Sequence, residues 1–302
     1  VVTVADGCVT EFATGAPSAR DANGDVLGVS ALTYVDGTLY ALVPGGGASH
    51  GNPDNPAGVY KVGDNGSLTL TANISEWHAA NRVSAEVRGY EPDTSIFGMV
   101  EVDGLLWITE ANSAQVLTVD PETGVIERVI DLSENNIVPT GIAPSPDGGV
   151  YISYLTNFPF IDGTSKVTEV EADGSLTDVW TGLTTVTALV VDDAGTLYAL
   201  EMATGGDTPE AALPPDSGRI VRQTGPDSLE ELVIGLPYPF GMIFGPDGGL
   251  YVSVPALNAE PGAGAVLRFE LTALPEAVFP STLAGVDTCA SATPEAGATP
   301  IS

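Results

Sequence analysis

The sequence predicts an all-β fold, a β-propeller of six blades whose first blade is incomplete. Three observations carry this: an apolar hairpin written five times, a more polar hairpin written six times, and the spacing between copies. The apolar unit is a strand, a tight Asp/Gly turn and a second strand with an aromatic residue near its start. It reads "GVSALTYVDGTLYALV", "FGMVEVDGLLWITEAN", "TGIAPSPDGGVYISYLTN", "TALVVDDAGTLYALEMA" and "FGMIFGPDGGLYVSVPALN". Its aromatics, Tyr40, Trp107, Tyr151, Tyr198 and Tyr251, stand 67, 44, 47 and 53 residues apart, intervals that suit four-stranded propeller blades.

Between these copies lies the polar hairpin, as in "VYKVGDNGSLTLTANI" and "VTEVEADGSLTDVWTGL", with the alternation expected of strands further from the axis. Its Asn-Gly, Asp-Gly and Thr-Gly pairs supply the positive φ that tight hairpin turns require. The opening "VVTVADGCVTEFATG" is a sixth copy without an apolar partner. Five inner hairpins against six outer ones leave a six-bladed ring short of two strands at the axis, with unpaired backbone and an apolar face to cover. Residues 1–285 form the propeller in this reading. Residues 286–302, rich in Ala, Thr and Pro, form an extension suited to one irregular strand at most.

Insertions at 44–57, 155–165 and 203–218 all follow the second inner strand, so they map to one face, the expected binding face. The stretch "EWHAANR" predicts one or two helical turns on that face.

Composition narrows the partners. The 302 residues hold 40 Asp and Glu against 9 Lys and Arg, a net charge of −31, which repels nucleic acid and anionic lipid and attracts cations. No apolar run approaches the roughly 18 residues of a membrane span. Cys8 and Cys289 lie near opposite ends of the chain, which a ring brings together. A disulfide between them would remove about 4 to 5 kcal/mol of unfolded-state entropy in the loop model, and it implies a secreted or cell-surface location. Two unrelated buried thiols are the alternative.

The segments "EWHAANR", "FGMVEVDGLLWITEANSAQVLTVDPETG", "PTGIAPSPDGGVYISYLTNFPFIDGTSKVTEVEADG" and "TGLTTVTALVVDDAGTLYALEMA" resemble the ScyD/ScyE family, secreted or extracytoplasmic β-propellers. The resemblance covers most of residues 1–285 and implies a fold more firmly than a function. It departs at the start, where the family pattern places an inner hairpin before the first outer one.

No nucleophile elbow, phosphate loop, dinucleotide fingerprint or cysteine zinc set is present. The candidate metal ligands are Glu110, Asn112, Asn157 and Glu201, with Asn258, at the ends of second inner strands. Carboxylate and amide oxygens of this kind around one channel mouth would suit calcium, as in lactonase-type propellers. Their alternative role is ordinary strand-end capping. Asp21, Asn23 and Asp25 in "DANGDVLG" match only the beginning of a calcium loop, since Val26 replaces its glycine and Leu32 its closing glutamate. The two histidines, His50 and His78, both fall in inserted segments, with packing the alternative to catalysis.

Three functions follow. The leading expectation is an extracellular, non-catalytic protein that self-assembles, a neighbour's C-terminal extension completing the open blade and linking copies into a filament. The second is a small-molecule enzyme of lactonase, lyase or cyclisation type with a cation at the channel mouth. The third is a monomeric binding module for a glycan or a small molecule on the loop face.

Overall fold

The computed structural model describes residues 1–5, 8–20, 26–85, 87, 89–135, 137–206, 213–258 and 263–271. These residues form a β-propeller. Blade one comprises Ala31–Val35, Thr38–Val43, Gly58–Val62 and Leu68–Asn73, and blade two Ile96–Val102, Leu105–Glu110, Gln115–Val119 and Ile126–Asp131. Blade three runs Pro139–Pro144, Val150–Tyr154, Ser165–Val170 and Leu176–Leu183, and blade four Val186–Val191, Leu197–Glu201, Gly218–Gly225 and Ser228–Leu236. Blade five shows three strands among the described residues, Met242–Phe244, Leu250–Val254 and Ala265–Phe269. Each strand pairs antiparallel with its sequence neighbour, the order a meander gives.

The five inner hairpins match the five apolar repeats. In blades one and two they turn on Asp36-Gly37 and Asp103-Gly104, all four residues at positive φ (46°, 76°, 53° and 80°). That is the type I′ turn whose twist matches the flanking strands.

The sixth blade is partial. Val2–Ala5 pairs with Cys8–Glu11 as a two-stranded hairpin, and Val1, Phe12 and Ala13 pack on Ala41, Val43, Tyr60 and Val62 of blade one. This face of blade one points away from blade two, so the N-terminal segment occupies the place between blades five and one. It covers only the outer half. Leu32 and Tyr34, on the same face nearer the axis, remain 43% and 67% exposed. Opposite them Ile243 of blade five is 64% exposed. The residues equivalent to Leu32 in blades two, four and five are Met99, Leu189 and Met242, all at 8% or below, because a neighbouring blade covers each.

Around the rest of the ring, hydroxyls tie blade to blade. Thr109 Oγ1 donates to Thr140 O (2.6 Å), Thr140 Oγ1 to Val186 O (2.6 Å), and Thr187 Oγ1 to Pro239 O (3.3 Å). The helix predicted around "EWHAANR" is Ile74–Ala80, capped by Asn73, whose side chain accepts from Glu76 N at 3.0 Å. Among the described residues no helix is long and apolar enough to cross a membrane.

Candidate functional site

Loops that follow the second strands and loops that precede the innermost strands share one face of the ring, and the predicted site residues lie there. Glu110, the last residue of its strand, is fully buried. Its carboxylate accepts from the backbone amides of Ser95 (3.0 Å), Asn112 (3.1 Å) and Ser113 (2.8 Å). Asn112 lies beside it, accepting from Glu91 N at 2.8 Å and donating to Gly89 O at 3.0 Å. Glu201 is also fully buried, in blade four, accepting from Thr184 N at 2.8 Å and from Arg219 Nε. Burial lifts its carboxyl above the usual range even though Arg219 works against the rise.

The structure thus brings Glu110 and Asn112 together and holds them to the loops of blade two. Glu201 does the same for blade four, while Asn157 and Asn258 are exposed on the loops of blades three and five. Among the described residues no three or more His, Cys, Asp or Glu side chains gather about one point as a metal would require. Asp21, Asn23, Asp25, Cys289 and the side chain of Cys8 lie outside the described residues, as does the 286–302 extension.

His78, in the last turn of the inserted helix, is fully buried. Gln115 Nε2 donates to its Nδ1 at 3.1 Å, since Gln115 Oε1 is already accepting from Arg128 Nε at 2.8 Å. The ring proton therefore sits on Nε2, facing Ser113 Oγ at 3.3 Å. Tyr90 stacks on the imidazole with centroids 5.2 Å apart, and the Arg82 guanidinium lies over the Tyr90 ring, 3.4 Å from its centroid. Burial holds the imidazole below the usual histidine range. Arg82 and Arg128 add to that, and Glu110 and Glu91 oppose it. Both nitrogens are spent on the protein itself.

His50 is placed differently, in the glycine-rich loop of blade one. Its Nδ1 lies 2.7 Å from Gly46 O, and a carbonyl only accepts, so Nδ1 carries the proton. Nε2 then presents its lone pair, with Glu91 Oε1 3.9 Å away. The adjacent Ser49 links this histidine to two acids. Its Oγ lies 2.5 Å from Glu91 Oε1 and 2.6 Å from Asp93 Oδ2, and its amide donates to Asp93 Oδ2 at 2.7 Å. Burial pushes the Asp93 carboxyl up, but the bonds from Ser49 and Ser75 outweigh it and hold the group below the usual aspartate range. Gly47, at φ 99°, makes room for this. A Cβ there would sit 2.0 Å from Asp93 Cγ.

Sequence reasoning singled out His50 but not Ser49, Glu91 or Asp93. Glu91 and Asp93 come from "GYEPDTS", more than 40 residues further along, and only the shared loop face hinted at the meeting.

Inside the ring, a cavity of about 920 Å³ runs along the axis and opens toward the gap between blades five and one. It is lined by the innermost strands together with Val1, Val2 and part of blade five; among the described residues no charged side chain lines it, and the Val1 amino group donates to Ala13 O at 2.7 Å.

No family profile and no curated protein matches the chain. Solved structures do. An aldose sugar dehydrogenase from Streptomyces coelicolor, in its PQQ-bound form, is 15% identical with a TM-score of 0.57, covering 93% of this chain and 84% of that one. A luciferin-regenerating enzyme is 12% identical with a TM-score of 0.51, covering 85% and 77%. A protein named as a candidate gluconolactonase is 14% identical with a TM-score of 0.51, covering 86% and 80%. At these identities the likeness shows the fold, a β-propeller. It also corrects the leaning toward a non-catalytic protein, since these similar structures bear the names of enzymes.

Proposed function

We propose that the protein is a small-molecule enzyme of the hydrolase or lyase class, working on the loop face with His50 as its proton-transfer group. One observation carries the reading: Gly46 fixes the His50 tautomer and leaves Nε2 with a lone pair opposite a carboxylate. In lactone hydrolysis Nε2 would take a proton from water as the water oxygen bonds to the carbonyl carbon. The proton would then pass to the ring oxygen as the C–O bond breaks. Glu91 Oε1, 3.9 Å from Nε2, faces the nitrogen that carries the proton between the two steps. Ser49 and Asp93 are positioning residues that set Glu91 and the loop.

The names of the similar structures support a sugar, lactone or aromatic substrate class. The resemblance to ScyD/ScyE propellers and the terminal cysteines support a secreted or cell-surface location. The test is turnover of a panel of aliphatic and aromatic lactones by the native protein and the His50→Asn variant. We expect the variant to lose at least about 100-fold in kcat/KM with an unchanged circular dichroism spectrum. Equal turnover by both proteins would overturn the assignment.

A second reading rests on a separate observation, the uncovered apolar walls formed by Leu32, Tyr34 and Ile243. They favour self-assembly, in which the 286–302 extension of a second copy lays a strand into the gap. Native mass with and without residues 286–302 tests it. Oligomers lost on truncation support strand donation, and a monomer in both cases rejects it.

A further inference from the structure

We propose that the axial cavity binds an uncharged aromatic small molecule. Four observations converge on this. Among the described residues the lining contains no charged side chain, in a protein with 40 acidic residues, and the amino group of Val1 is taken up by Ala13 O at 2.7 Å. A sugar or an anion would find few partners there. The volume, about 920 Å³, is that of a pocket for a drug-sized ligand.

Third, an aromatic pair lines the cavity. Phe97 and Phe240 hold the same position at the start of the innermost strands of blades two and five, which face each other across the ring. Their centroids are 4.9 Å apart and their planes tilted by 38°. Both rings are only half-buried, so a flat ligand can stack on one or part the two.

The fourth observation supplies a polar anchor. Ser30 holds the equivalent position in blade one and also lines the cavity. The hydroxyls at this position in blades three and four, Thr140 and Thr187, are spent on the next blade. Ser30 Oγ is buried with no partner among the described residues. A buried hydroxyl without a partner is costly, and one hydroxyl or carbonyl on the ligand would satisfy it. The site is thus an aromatic clamp with one hydrogen-bonding group, suited to a phenol-like or aryl-carbonyl compound.

His50 does not line this cavity, so the proposal stands apart from the reading above. Binding is measurable without turnover. The probe is 2-naphthol, followed by its own fluorescence, with naphthalene-2-sulfonate as the anionic comparison. We expect saturable one-to-one binding of 2-naphthol, at least tenfold weaker sulfonate binding, and at least tenfold loss of 2-naphthol affinity in the Phe97→Ala/Phe240→Ala variant. Phe97→Leu provides a milder change should the double variant fail to fold. Ser30→Ala should weaken 2-naphthol but leave naphthalene unchanged. Tyr34→Ser, on the gap wall outside the lining, and His50→Asn should both bind normally. Affinity that survives the phenylalanine changes, disappears with Tyr34→Ser, or is equal for the sulfonate would overturn the proposal.

Discussion

The chain has two histidines, both on the loop face, and their surroundings give them opposite tautomers and opposite work. Around His78, Gln115, Ser113 and Tyr90 enclose the ring, and no nitrogen is left over. Around His50, one nitrogen is anchored to Gly46 and the other faces Glu91 across 3.9 Å. The difference teaches that catalytic capacity here lies in what the neighbours leave unused. A fully satisfied imidazole holds an insertion onto blade two, and a half-satisfied one is available for chemistry.

The contrast is sharpest in stability. His78→Ala leaves Ser113 Oγ buried without its partner, leaves Gln115 Nε2 with only the 3.4 Å contact to Glu110 Oε2, and removes the ring that Tyr90 stacks on. Its expected cost is about 2 to 4 kcal/mol in denaturant unfolding. His50→Ala gives up one hydrogen bond and should cost about 1 kcal/mol. Equal losses would erase the distinction.

Acid gives a smaller effect. Because burial holds His78 below its ordinary value, the unfolded chain binds a proton that the native protein refuses. The resulting stability is full above about pH 6.5 and is lost as pH falls from there through the native pKa. Asp93 acts with the same sign in a lower window, its stabilisation lost as pH drops below the ordinary aspartate range. Unfolding measured between pH 7.5 and 5 should show the decline in the native protein and a flatter profile in His78→Gln. Parallel profiles would mean that His78 is not the titrating group.

The smallest expected effect concerns the ring itself. Thr140→Val breaks a blade-to-blade hydrogen bond and should cost about 1 kcal/mol, whereas Ser30→Ala breaks none and should be near neutral.

Much of the ring was legible because its signals are local. Period-two alternation and Asp-Gly turns specify hairpins residue by residue, so five inner and six outer copies could be counted before any packing was known. The uncovered side chains at Leu32, Tyr34 and Ile243 are the physical form of that unequal count. The site was less legible. Glu110 and Glu201 look like cation ligands as polar residues ending strands, yet both are buried and turned to groups of their own blades. The meeting of His50 and Ser49 with Glu91 and Asp93 depends on two insertions folding against each other, which no local pattern encodes.

The measurement that tests the account most directly is the nitrogen-15 spectrum of the two imidazoles at pH 9. The account predicts a protonated Nδ1 and a lone pair on Nε2 for His50, and the reverse for His78. A His50 ring protonated on Nε2 would contradict it, because the nitrogen facing Glu91 could not then accept a proton.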